Sequence, residues 1–239
     1  MKLKKTVFTL NVDNYCPEIS RITFPLIKFW AHKIGAEFFE ITERRFPQFP
    51  VTYEKMQIYT LGREMGNDWN IYLDADAGIH PSSPDWTVYM RKDQVAHWSC
   101  DVASLRWVYD EYFLRDGRNW GTGNWFTIAS DWCLDLWHPL EDLTLEEAVE
   151  RIYPIMGELN NDIVREHLID DYVLSRNVAR YGLKTVKIKD LRDQIELKDA
   201  PLCMHLYRVA NEVKVRELQK MIKAWELPDS IKNYGNHDT

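Results

Sequence analysis

Apolar residues recur along this chain with two periods, and the two periods take turns. Residues 6–12 are mostly apolar or β-branched and run into the polar loop Asp13-Asn14-Tyr15, which predicts a strand. Pro17 suits a first helical position. Residues 18–34 then carry apolar side chains at helical spacing up to Gly35, with Pro25 as a place for a kink. Residues 37–42 read as a second strand, and 44–50 as a loop holding Arg44, Arg45, Pro47 and Pro50. A helix is predicted over 53–65 and a buried strand over 69–73. Residues 94–99 and 125–130 read as further strands. Thr144 and Glu147 have capping-box spacing, predicting a helix from 145 to about 155. Residues 162–180 form an amphipathic pattern stopped at Gly182, 184–189 a strand, and 209–225 a last helix. The tail from Pro228 is expected to be loose. Alternating strands and helices predict an α/β fold: a mostly parallel sheet flanked by helices, in one domain over 1–239.

Composition narrows the function classes. A net charge of -7 disfavours a general nucleic-acid binder, which carries a basic footprint. The four cysteines, Cys16, Cys100, Cys133 and Cys203, have no C-x-x-C spacing and read as reduced thiols. The apolar run after Lys4-Lys5 is stopped by Asn11 and Asp13, too short for a signal peptide. No segment reaches the ~18–20 apolar residues of a membrane span. A cytoplasmic protein is expected.

The chemistry concentrates in Asn70-Ile71-Tyr72-Leu73-Asp74-Ala75-Asp76. A buried strand ends in two carboxylates separated by one small residue. In a strand, residues i and i+2 share a face, so Asp74 and Asp76 are expected to converge on one cation through that alternation. Mg²⁺ and Mn²⁺ take oxygen ligands, commonly one or two carboxylates plus substrate phosphates. Open α/β sheets bind ligands at the carboxyl ends of their strands, where this pair lies.

Together with Tyr53-Glu54-Lys55-Met56-Gln57-Ile58-Tyr59, this stretch resembles the core of GT-A-fold glycosyltransferases with a DxD motif, of the glycogenin and galactosyltransferase type. The resemblance extends from about Val7 to His205. It implies a Rossmann-like sheet and transfer of a sugar from a nucleotide-sugar donor, typically a UDP-sugar, to an acceptor hydroxyl. It implies Mn²⁺ or Mg²⁺ on Asp74 and Asp76, with Asp74 also facing the donor. Residues 1–100 would then form the nucleotide and metal half, 101–207 the donor-sugar and acceptor half, and 208–239 a terminal helix and tail.

The resemblance assigns further residues. Asp170 and Asp171 match an acidic helix that carries the catalytic base in inverting members and lines the donor sugar in retaining ones. A sugar hydroxyl is a poor nucleophile until its proton is accepted; Asp171 is the first candidate and Asp170 the second. His205 is expected to complete the metal shell. Leu206, Tyr207 and Arg208 follow it where glycogenin-like chains have a glycine and a lysine, so Arg208 is expected as the diphosphate clamp. Gly121, Gly123 and Asn124 match a segment at the donor sugar, with Trp120 the best of the nearby aromatics for a ligand contact. Asn11, Asp13 and Tyr15 are expected at the base and ribose, and Lys55 and Arg45 near phosphate. The acceptor is left open among a glycan, a protein, a small molecule or a modified base.

Three other functions fit less well. A sugar-nucleotide pyrophosphorylase needs a glycine-rich, basic first loop, and Asn11-Val12-Asp13-Asn14 is not one. A HAD-type phosphatase wants its Asp-x-Asp on the first strand. A non-catalytic sugar-binding module needs neither the acidic pair nor Asp171.

Overall fold

The structure, a computed structural model, describes residues 3–98, 124–152, 165–195, 203–206 and 209–235. Cys100, Trp107, Tyr109, Tyr112, Trp120, Gly121, Gly123 and Arg208 lie outside the described residues.

Strand β1 (Lys5–Leu10) is buried along its whole length. Helix α1 (Pro17–Lys33) follows, with Pro17 at its start and Pro25 inside it, and leads to β2 (Glu37–Ile41). The stretch expected as one helix over 53–65 is two pieces, a 3₁₀ segment Val51–Gln57 and helix α2 (Ile58–Met65). The tighter winding stacks residues three apart, and Gln57 Nε2 donates to Glu54 Oε2 at 2.7 Å. Strand β3 (Trp69–Leu73) is fully buried. Then come β4 (Gly78–Ile79), β5 (Gln94–His97) and β6 (Phe126–Ser130).

Helix α3 (Leu145–Arg151) starts in the capping box read from Thr144 and Glu147. Helix α4 (Ile169–Arg180) follows a 3₁₀ turn, so Asp170 and Asp171 lie in its first turn rather than mid-helix. Acidic side chains are favoured there, beside the partial positive charge of the helix start. Strand β7 (Lys184–Lys187) is shorter than expected and gives way to helix α5 (Ile188–Gln194). Strand β8 (Cys203–Met204) and helix α6 (Asn211–Ala224) come next. Over residues 228–235 the tail is ordered: helix α7 (Asp229–Lys232) forms, and Tyr234 packs edge-on against Phe29 at 5.4 Å and stacks on His32. Two aromatic contacts hold what its polar sequence did not signal.

The main sheet has the order β2-β1-β3-β6-β5-β7, and β4 pairs with β8 in a small second sheet. Neighbours in the main sheet are parallel except that β6 runs against β3 and β5. Alternate residues of each strand feed two cores. Phe8, Leu10 and Tyr72 pack with Val173 and Leu174 of α4 on one face. Val7, Ile71 and Leu73 pack with Ile27 and Trp30 of α1 and Leu218 of α6 on the other. Each such side chain fully buried contributes about 1.5–3 kcal/mol.

Candidate functional site

Strand order reverses at β1, which has β2 on one side and β3 on the other. Such a switch point opens a crevice beyond the strands' carboxyl ends. All the charged residues described next gather there.

Strand β1 ends with the Asn11 N–H donating to Ile41 O at 2.8 Å. Asn11 Nδ2 donates to Glu40 Oε2 at 2.9 Å, while Asn11 Oδ1 is buried and makes no hydrogen bond among the described residues. The chain leaves through Asp13, Asn14 and Cys16, all with positive φ (56°, 53° and 34°). Left-handed backbone costs roughly 1–2 kcal/mol per non-glycine residue, and strain of this kind gathers at functional sites. Tyr15, in the middle, is 39% exposed. Burial pushes its phenol pKa up; Lys214 pulls it down and the Asp76 and Asp74 carboxylates push it up again.

Asp74 and Asp76 do converge, but not by strand alternation. The strand stops at Leu73, and Asp74 to Ala77 form a turn closed by the Ala77 N–H on Asp74 O at 3.0 Å. The ladder to β6 extends one step further, with the Asp74 N–H on Trp125 O at 2.8 Å. Thr23 Oγ1 of α1 donates to Ala75 O at 2.5 Å and pins the turn.

His205 reaches this turn through β4 and β8. Gly78 pairs with Met204, so the next residue, His205, falls beside the carboxylates. Its Nε2 is 3.5 Å from Asp74 Oδ2 and 3.3 Å from Asp76 Oδ1. Its ring stacks on Trp125 at 5.2 Å and 12°. One atom from each of Asp74, Asp76 and His205 lies within 4.8 Å of the others. Two carboxylates and an imidazole suit a divalent ion such as Mn²⁺.

Lysines flank this trio. Lys214 of α6 bonds Asp76 Oδ2. Burial pushes the Asp76 carboxyl up, but His205 and Lys214 outweigh it and hold its pKa at about 2. Helix α6 can come this close because position 78 is glycine: a Cβ there would meet Met221 Cε at 2.5 Å. Lys55, 3% exposed, sits 2.7 Å from Asp170 Oδ2, 3.6 Å from Asp74 Oδ1 and 4.6 Å above the Tyr72 ring. Burial would strip its charge, yet Asp170 and Asp74 more than offset this and raise its pKa. The Tyr72 hydroxyl donates to Asp74 Oδ1 at 2.5 Å. Burial, and then Asp74, raise the Tyr72 pKa well above its ordinary value.

Asp171 accepts a hydrogen bond from Asn124 Nδ2. Burial and the adjacent Asp170 carboxylate push its pKa well up, against the pull of Lys55. Asn124 Oδ1 is buried with no hydrogen-bond partner among the described residues.

Of the residues singled out by sequence, the fold gathers Asp74, Asp76, His205, Lys55, Asp170, Asp171 and Asn124 into one network. Asn11, Asp13 and Tyr15 border it on the β1 loop. Arg45 is exposed, and its backbone N–H donates to Glu54 Oε2 at 3.0 Å. Sequence reasoning missed Tyr72, Trp125 as a support for His205, and Lys214. Tyr72 was legible as the residue two before Asp74 on the same strand face. Nothing local marks Lys214, a lysine in an ordinary amphipathic helix.

No protein-family profile matches the chain, and no curated protein matches it in sequence. Its structure is similar to that of a glycosyltransferase involved in the glycosylation of the major capsid of PBCV-1, with a TM-score of 0.51 at 11% identity, over 90% of this chain and 98% of that one. The two chains share one fold. Looser likenesses extend to A197 from STIV (TM-score 0.40, 17% identity, 77% of this chain and 81% of that one) and to the glycosyltransferase GlyE in Streptococcus pneumoniae TIGR4 (0.46, 11%, 97% and 63%). The α/β sheet flanked by helices is thus a fold that this chain has in common with the PBCV-1 protein. Among the described residues no helix is long and apolar enough to cross a membrane.

Proposed function

We propose that this chain is a metal-dependent glycosyltransferase, which moves a sugar from a nucleoside-diphosphate donor to an acceptor hydroxyl. One observation carries the reading: the Asp74-Asp76-His205 trio stands at the switch point of a fold shared with a glycosyltransferase, and the Lys55–Asp170 pair links it to a carboxyl of raised pKa, Asp171.

The donor set fits Mn²⁺ or Mg²⁺ by its chemistry. A bound ion would neutralise charge on the leaving diphosphate. Asn11 and Tyr15 border the place for the nucleoside, and Asn11 Oδ1 offers a buried acceptor to a base or ribose. Lys55 is fully committed to carboxylates, which supports a counter-ion role for it rather than direct contact with phosphate. Asn124 orients Asp171 and leaves Asn124 Oδ1 for a sugar hydroxyl.

In the transfer, the anomeric carbon–phosphate oxygen bond breaks and a bond to the acceptor oxygen forms. The acceptor's proton goes to Asp171. A carboxylate of raised pKa is a stronger proton acceptor once ionised. One domain over 1–239 suits this reading, with UDP the first nucleotide to test.

The test is incubation of the purified chain with a panel of nucleotide sugars, Mn²⁺ or Mg²⁺, and candidate acceptors. Release of nucleoside diphosphate with a glycosylated product, read by mass spectrometry and NMR, is the expected result. Formation of a nucleotide sugar from a sugar phosphate instead would identify a pyrophosphorylase. Donor binding with no turnover on any acceptor would favour a binding module.

A further inference from the structure

Two groups compete for one oxygen of Asp74. The Tyr72 hydroxyl donates to Asp74 Oδ1 at 2.5 Å, and Lys55 Nζ lies 3.6 Å from the same oxygen. Hydrogen bonds from nitrogen to oxygen run to about 3.2 Å, so Tyr72 holds Oδ1 and Lys55 stands just out of reach. Among the described residues the Tyr72 hydroxyl makes the one hydrogen bond to this carboxylate.

The backbone leaves the outcome to the side chain. The Asp74 N–H is fixed on Trp125 O at 2.8 Å, and Asp74 O accepts the Ala77 N–H at 3.0 Å. Only the side-chain torsions of Asp74 remain to be set, and they decide where Oδ2 points. It points to His205, 3.5 Å from Nε2, so the carboxylate faces the trio that it forms with Asp76 and His205.

Both competitors are held in place. Tyr72 is on strand β3 and 1% exposed. Lys55 is buried 4.6 Å above the Tyr72 ring and 2.7 Å from Asp170 Oδ2. An ammonium carries three donors, so its bond to Asp170 leaves donors for a second carboxylate. A bond between two charged groups is also stronger than one from a neutral hydroxyl. With the hydroxyl gone, Lys55 is the donor nearest to Asp74 Oδ1.

We propose that the Tyr72 hydroxyl keeps Asp74 from being captured by Lys55. By occupying Oδ1 it reserves Lys55 for Asp170 and leaves Asp74 turned toward Asp76 and His205, ready to ligate a metal. Tyr72 is a positioning residue, acting through Asp74. The inference rests on the reading of Asp74, Asp76 and His205 as metal ligands.

The experiment adds MnCl₂ to the full chain, without donor or acceptor, and counts the free ion by electron paramagnetic resonance. Tyr72→Phe removes only the hydroxyl. It should bind Mn²⁺ about 10-fold more weakly than wild type, on the scale at which groups around metal ligands act. A hydroxyl that serves packing alone would lower the melting temperature and leave the titration unchanged, and that result overturns the inference. The same substitution in a chain carrying Lys55→Met and Asp170→Asn isolates the competitor. With no ammonium to capture Asp74, Tyr72→Phe should leave the Mn²⁺ affinity of that background unchanged; an equal loss with and without Lys55 overturns the inference. A crystal structure of Tyr72→Phe gives an independent reading. Asp74 within hydrogen-bond reach of Lys55 Nζ supports the proposal, and an unmoved Asp74 overturns it. A wild-type chain that binds no Mn²⁺ overturns the metal reading itself, and the inference falls with it.

Discussion

Lys55 Nζ lies 2.7 Å from Asp170 Oδ2, and both side chains are withdrawn from water, at 3% and 8% exposure. Removing one member of such a pair leaves a buried charge with no solvent to compensate it, a loss of about 3–5 kcal/mol. Lys55→Met should therefore be strongly destabilised. In the wild type the raised Lys55 pKa means that its contribution is complete at neutral pH and fades only in strongly alkaline solution. Urea denaturation at neutral pH checks this, and Lys55→Met with Asp170→Asn should recover part of the loss. A double variant no better than the single one would show that the pair is not what Lys55 stabilises.

Asp76→Asn removes charge from the oxygen that faces His205 and from the one that faces Lys214. Nucleoside-diphosphate binding should lose its dependence on Mn²⁺, and transfer should fall by at least about 10²-fold, since charge stabilisation by a metal contributes several kcal/mol. Calorimetry with and without EDTA decides it: a wild-type affinity unaffected by EDTA sinks the idea.

His205→Ala takes away an imidazole and the stacking partner of Trp125. Mn²⁺ affinity should drop by about 10-fold or more, while the melting temperature changes little, because β8 is short and only partly buried. A destabilised variant with an unaltered Mn²⁺ titration would mark His205 as a packing residue.

Asp171→Asn separates activity from stability. General-base assistance contributes roughly 10²–10⁴-fold, so kcat should fall on that order with donor affinity retained. The raised Asp171 pKa means that the folded state holds its proton more tightly than the unfolded one, so wild-type stability falls as pH rises from the ordinary carboxylate range through that raised value. An amide cannot ionise. The variant should therefore melt about 2–4 °C higher at neutral pH, the shift that ~1 kcal/mol produces at this size. The wild-type rate should also decline on the acid side at a higher pH than an ordinary carboxylate would give. Wild-type turnover in the variant would leave Asp170 as the next carboxyl to test.

Gly62→Ala tests the packing behind the site. A Cβ there would lie 2.5 Å from Asn70 Oδ1 and 3.0 Å from Leu134 Cδ2, both in the interior. Overpacking of this kind costs about 1–3 kcal/mol. Thermal melting should register it with the Mn²⁺ titration unchanged; a variant as stable as wild type would mean that Asn70 can turn aside freely.

The local patterns of the chain determined much of this. Continuous apolar runs specified β1 and β3, helical spacing specified α1 and α6, and the Thr144–Glu147 spacing specified the start of α3. These rest on interactions within a few residues, so they are written locally. The acidic residues were legible for the same reason: a strand that ends in Asp74-Ala75-Asp76 puts two carboxylates at the carboxyl edge of an α/β sheet whatever the rest does.

Tertiary structure decided how those residues meet. The aspartates converge through a turn closed by Ala77 and pinned by Thr23 of a different element. His205 arrives through the β4–β8 pairing, and Lys214 arrives because a glycine lets α6 approach. Lys55 finds Asp170 only because α4 packs under the sheet beside the 3₁₀ segment. Apart from the Ala77 turn, each of these contacts joins residues far apart in sequence, and each is held by the packing between them. A periodicity read along one segment reports which face is buried. It carries no information about which distant side chain that burial brings within reach.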